Sequence, residues 1–206
     1  MVFIRQPDRV RLCGDVEEGC GEKAVGMPDI PEWIPVESDY KRVATHEAGH
    51  AVIGLSLGAK IDYIERLATD GIPEVLQAND FHAAVAVNFT NSVHKLEPRL
   101  QFLIAMGGMA AETLIFGKYD KFAAASDLES LKPNILSESD IAGLVEIGQR
   151  VLNENFKYFN HLRESLTRRL SSVDRILTIG ASLNANFKKT GTKVSVVAEL
   201  DRLLPL

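Results

Sequence analysis

The sequence predicts a mainly α protein with a small β element. Three observations point that way. Apolar residues recur at helical spacing through Ile141, Leu144, Val145, Ile147 and Val151, and again through Phe156, Phe159, Leu162, Leu166 and Leu170. A stripe of mainly small residues, Ala44, Ala48, Ala51 and Leu55, repeats at the same period farther upstream. Only two short stretches favour strand, and both lie between helical segments.

Residues 1–37 read as an extended arm and residues 38–206 as the domain. Gly14, Gly19 and Gly21 punctuate the arm, and Pro28, Pro31 and Pro35 disfavour helix in it. Ile30, Trp33, Ile34 and Val36 could anchor it. Cys13 and Cys20 are expected to be reduced thiols, since two cysteines near one end make no disulfide scaffold and match no common zinc spacing.

The first helix is expected to start near Ser38 or Asp39, both good caps, and to stop at Gly58. Ile61 to Leu67 suggests a strand, closed by the turn sequence Asp70-Gly71-Ile72-Pro73. Phe81 to Phe89 suggests a second. Glu97 and Pro98 open a helix that should run through Phe102, Ile104, Met109 and Leu114 to Gly117. Its Gly107, Gly108, Ala110 and Ala111 form a second small patch, expected to pack on the stripe of the first helix. Ser137 caps the next helix, with Asp140 in its first turn. Helical character should continue, with a break, through Leu170 and on to Val173, Ile176 and Leu177. A last helix is expected over Val196 to Leu204.

The chain organises itself around His46-Glu47-Ala48-Gly49-His50 in the first helix. Positions four apart share one helix face, so His46 and His50 can bind one metal ion together. Glu47 leaves the helix roughly 100° around from His46, beside the metal, where it can serve as general base. Zinc is the expected ion, because imidazole suits it and bound zinc lowers the pKa of its water to about 7.

A catalytic zinc needs a third protein ligand. The metzincin pattern would place Gly and His where Ile53 and Ser56 stand, so it is excluded. Glu65 and Glu74 fall in a strand and a turn. Glu112 could support a ligand from behind, or be a buried carboxylate bonded to amides. Asp127 is the better candidate, because Ala123, Ala124 and Ala125 before it permit close approach. On spacing alone it is one carboxylate among many, with a helix N-cap as its ordinary role.

His46-Glu47-Ala48-Gly49-His50-Ala51, Gly107-Gly108-Met109-Ala110-Ala111-Glu112 and Ser126-Asp127-Leu128 together resemble the peptidase domain of the FtsH-type ATP-dependent membrane metalloproteases. The resemblance covers about Asp39 to Leu131. It implies a helical zinc-peptidase fold, with Zn2+ held by His46, His50 and Asp127 and with Glu47 catalytic. Met109 stands where the family commonly has arginine, and the segment before Asp127 lacks the usual glycine.

The expected activity is hydrolysis of peptide bonds in unfolded or flexible polypeptides. No G-x-x-x-x-G-K-[ST] phosphate loop occurs in the 206 residues, so ATP-independent action is expected, with room for a separate ATPase partner. The family forms rings, which leaves oligomerisation open. A formal net charge of -5 without a basic block argues against nucleic acid as partner. The apolar stretch Phe102 to Gly117 is shorter than a bilayer span of ~20 residues, and no signal peptide is visible, so no membrane span and a cytoplasmic location are expected. The rivals are a zinc-binding structural or adaptor protein with little hydrolytic activity, and a zinc hydrolase acting on a small amide or one dedicated partner. His82, His94 and His161 are expected at the surface.

Overall fold

The computed structural model describes residues 36–66, 85–119, 127, 136–170, 176–188 and 192–204. The predicted arm as far as residue 35, with Cys13 and Cys20, the turn at 70–73, Glu74 and His82 lie outside them, while Val36 and Glu37, expected in the arm, are helical.

Helix α1 spans Val36–Leu57. It starts before Ser38, because acidic residues are favoured throughout a first turn and mark its neighbourhood rather than its first residue. Gly58 ends it with φ 92°, a left-handed conformation open to glycine at no steric cost. Strand β1, Ile61–Arg66, pairs antiparallel with β2, Val85–Phe89. After a 3-10 turn at Val93–Lys95 comes α2, Pro98–Ala105, with Pro98 in its first turn. Helix α3 follows at Gly107–Phe116 and ends on Gly117, φ 74°.

The single helix expected over 98–117 is therefore two, joined at Met106. Two adjacent glycines weaken helix propensity at that joint. By length and composition Pro98–Phe116 could cross a membrane, and at 19 residues it is longer than the stretch counted from Phe102. Of its apolar window, 61% is buried inside the protein.

Helix α4, Glu138–Glu154, begins with the capping box that Ser137 and Asp140 announce. Asn155 separates it from α5, Phe156–Leu170. Residues Ile176–Ile179 do not prolong the helices. They form β3, antiparallel to β1, giving a sheet of order β2-β1-β3. A short apolar run has no period of its own to separate strand from helix, and three of these four residues are β-branched. Two helices close the chain, α6 at Gly180–Asn186 and α7 at Thr192–Leu203. The first was not expected, and the second starts earlier than Val196.

The core is continuous. Helix α1 lies at its centre, packed on α3 and α5, with α4 against α3 and the sheet at one side. The small residues of α1 and α3 meet as expected. A Cβ added at Gly49 would stand 2.2 Å from the Gly107 carbonyl oxygen, and one added at Gly107 would stand 2.8 Å from His50 Cα. Two helices that cross with backbones touching leave their polar side chains little freedom to turn away.

Candidate metal centre

The crossing of α1 and α3 sets the histidines. His46 and His50 are 2% and 0% exposed, with their rings edge to face and centroids 4.7 Å apart. Asp127, also fully buried, comes up against both. Its Oδ2 is 3.0 Å from His46 Nε2 and 3.3 Å from His50 Nε2. One ligand atom from each of the three residues lies within 4.8 Å of the others. Residues 81 positions apart in sequence are thereby joined.

The other ring nitrogens are engaged elsewhere. His46 Nδ1 is 2.8 Å from Glu112 Oε1, and His50 Nδ1 is 2.8 Å from the carbonyl oxygen of Ile104. A carboxylate and a carbonyl only accept, so each Nδ1 must donate. When the imidazoles are neutral, both Nε2 atoms then carry lone pairs aimed at a carboxylate. Lone pairs and anionic oxygen at this range repel unless a cation or proton lies between them. A tetrahedral ion with ligand bonds of ~2.0–2.1 Å has ligand edges of ~3.3 Å, close to the spacing here. Two imidazole nitrogens and one carboxylate oxygen also form a donor set that suits zinc. The residues present fit the ion.

Glu47 is 1% exposed. The backbone N–H of Val87 in β2 donates to its carboxylate, while Oε1 is buried without a hydrogen-bond partner. Burial pushes its pKa up to about 7, against the opposing pull of His50 and His46. Burial by itself would depress His46, but hydrogen bonds to Asp127 and Glu112 and the nearby carboxylate charges raise it well above the usual range. His50 is raised too, burial being outweighed by the charge and hydrogen bond of Asp127. Burial opposes ionisation of Asp127, yet His50 and His46 hold its carboxyl below the usual carboxylate range. Such mutual perturbation in one buried cluster is typical of functional sites.

Of the remaining candidates, Glu112 is buried against His46 and also accepts from Arg42 Nε at 2.9 Å. Its contact with the ring of a candidate ligand is what a group that supports a ligand would make. Glu65 is 9% exposed in β1 and accepts from Asn88 Nδ2 at 3.2 Å, away from the cluster. His94 and His161 are exposed, as expected. Arg42 was not singled out by sequence reasoning, although its place four residues before His46 on one helix face was visible.

Three curated proteins are similar to this chain, each described as an ATP-dependent zinc metalloprotease FtsH. Identity is 27% over 135 residues for the protein of Mesomycoplasma conjunctivae, covering 63% of this chain. It is 29% over 133 residues for Ureaplasma parvum serovar 3 and 26% over 129 residues for Mycoplasmopsis pulmonis, each covering 62% of this chain. The chain matches only 17% of the length of each relative. These similarities support a relationship with FtsH proteins. No family model and no solved structure matches the chain.

Proposed function

We propose that this chain is the peptidase unit of an FtsH-type protein, a zinc metalloendopeptidase that cleaves unfolded or flexible polypeptides without ATP. The observation that carries this reading is the convergence of His46 Nε2, His50 Nε2 and Asp127 Oδ2 beside the buried, partnerless Oε1 of Glu47. Zinc binding alone would not require an acid or base at that point.

His46, His50 and Asp127 hold the ion, and Glu112 and the Ile104 carbonyl fix the two rings that bind it. A bound zinc supplies Lewis-acid polarisation and lowers the pKa of water at the site. Glu47 accepts the proton from the attacking water on its carboxylate and then delivers it to the leaving amine. Burial makes Glu47 a stronger base than an exposed carboxylate. The Val87 N–H holds the carboxylate in place against β2.

Among the described residues, strand β2 has β1 on one side only, so a peptide could add to its other edge as a further strand. That mode requires an extended chain, which agrees with unfolded substrates. A folded domain, stable by ~5–15 kcal/mol, offers almost none without a motor.

The test is Glu47→Gln, which keeps size and shape but removes the base. Zinc content should stay near one ion per chain, while cleavage of a permanently unfolded protein should fall by at least ~100-fold. ATP should leave the wild-type rate unchanged. A wild-type protein that binds zinc but cleaves no peptide would favour the adaptor reading. Stimulation by ATP only after adding cell extract would reveal a separate ATPase.

A further inference from the structure

We propose that Arg42 is a positioning residue for the metal, acting through Glu112 on His46. The inference rests on the metal-binding reading above and adds a residue to it. Arg42 and His46 are one turn apart on the same face of α1, and Glu112 reaches both from α3. Arg42 Nε is 2.9 Å from Glu112 Oε2, and His46 Nδ1 is 2.8 Å from Glu112 Oε1. One carboxylate therefore spans the two residues, with an oxygen committed to each.

The geometry gives each member a task. Glu112 is 1% exposed, and a carboxylate at that depth needs countercharge and fixed donors. The guanidinium of Arg42 supplies both on the Oε2 side. Its rigid, planar guanidinium fixes the direction of that Nε–H bond better than a freely rotating ammonium would. With Oε2 held, Oε1 stays in line with Nδ1, and the imidazole cannot swing about its Cβ–Cγ bond. Nε2 then remains aimed at Asp127 Oδ2, 3.0 Å away. The Arg42 side chain is 24% exposed, so the chain of contacts starts at the surface and ends at a metal ligand.

This assigns Arg42 a role that a surface ion pair would not have. An exposed pair is commonly worth little, and its loss goes unnoticed. Here removal of Arg42 should weaken zinc binding, because partners that orient ligands typically contribute 10–100-fold to metal affinity.

The experiment measures zinc affinity of the full chain by competition with a chromophoric chelator, for wild type, Arg42→Gln, Arg42→Lys, Glu112→Gln and the Arg42→Gln/Glu112→Gln double variant. Thermal unfolding of the zinc-free proteins reports folding separately. Arg42→Gln should bind zinc about 10–100-fold more weakly while its zinc-free form unfolds cooperatively. Arg42→Lys should recover part of the loss, because it restores charge but not the rigid, directed N–H donor. In the Glu112→Gln background, Arg42→Gln should cost clearly less than in wild type, since the link it works through is already altered. Wild-type affinity in folded Arg42→Gln, or strictly additive effects in the double variant, would overturn the proposal while leaving the metal site itself intact. Absence of zinc binding by wild type would overturn both. Should Arg42→Gln fail to fold, Arg42→Lys and Glu112→Gln decide. Wild-type affinity in both would then reject the role.

Discussion

Gly108→Ala tests whether the helix crossing makes the metal centre. A Cβ at position 108 would stand 2.2 Å from His46 Nε2, 2.3 Å from Cε1 and 2.5 Å from Cδ2. An ordinary contact begins at 3.4 Å, so the ring must retreat by about 1.2 Å. Retreat is blocked, because Glu112 grips Nδ1 at 2.8 Å and the ring is 2% exposed. Metal–ligand distances tolerate only about 0.2 Å of error. The displaced atom is the one aimed at Asp127, so the variant should lose zinc affinity by at least ~100-fold, or ~2.7 kcal/mol. Overpacking should cost the zinc-free fold a further ~1–3 kcal/mol. Chelator competition and zinc-free unfolding measure the two effects separately. Gly143→Ala is the control, since the nearest atoms to its Cβ would be the Leu203 methyls at 2.7 and 2.9 Å, at the far end of a flexible group. Wild-type zinc affinity in Gly108→Ala would refute the argument that this glycine makes room for the ring.

Three further outcomes are expected. Asp127→Ala should lose most of its zinc by elemental analysis, and full occupancy would remove Asp127 from the ligand set. The zinc-free protein should lose stability as pH rises from 4.5 to about 7, where buried Glu47 must ionise, and further above 6.5, because His46 and His50 also have raised folded-state pKa values. Each contributes stability that is present below its unfolded pKa and lost as pH climbs through the folded one. Added zinc should reverse that trend, since the ligands coordinate only when deprotonated, and denaturant titrations at several pH values check both signs. Gly148→Ala should destabilise by ~1–3 kcal/mol, its Cβ falling 2.7 Å from Ala110 Cβ, yet keep its zinc. Loss of metal in that variant would show that α3 cannot shift without disturbing the site.

The helices with their own punctuation were legible in the sequence. Pro98, Gly58, Gly117 and the Ser137–Asp140 box mark ends by local chemistry, independent of tertiary contacts. The meeting of small residues on α1 and α3 was legible too, because the stripe Ala44, Ala48 and Ala51 and the patch Gly107, Gly108, Ala110 and Ala111 each leave room for another backbone. Strand β3 was hidden, since Ile176 and Leu177 continue a helical count and only pairing with β1 decides their state. Within the candidate site, the five-residue motif places two imidazoles and Glu47 by helix geometry alone. Spacing does not reveal the approach of Asp127, because nothing local brings residue 127 to residue 46. The alanines before it and the family resemblance point there instead. Arg42 reads in the sequence as an ordinary surface cation. Its link to the site lies in Glu112, which shares its two oxygens between guanidinium and imidazole.

The interruption at Met106 carries a cost in helical propensity that the proposed metal site would require. Ile104 sits in the last turn of α2, and its carbonyl oxygen accepts a hydrogen bond from His50 Nδ1. Substitutions that favour uninterrupted helix across Met106, Gly107 and Gly108 would raise local helical propensity. They would also set side chains against His46 and the α1 backbone. Helical propensity and the proposed zinc site therefore make opposite demands on Gly107 and Gly108. Stabilising libraries screened on unfolding temperature alone should find gains there only in proteins that have given up the ion.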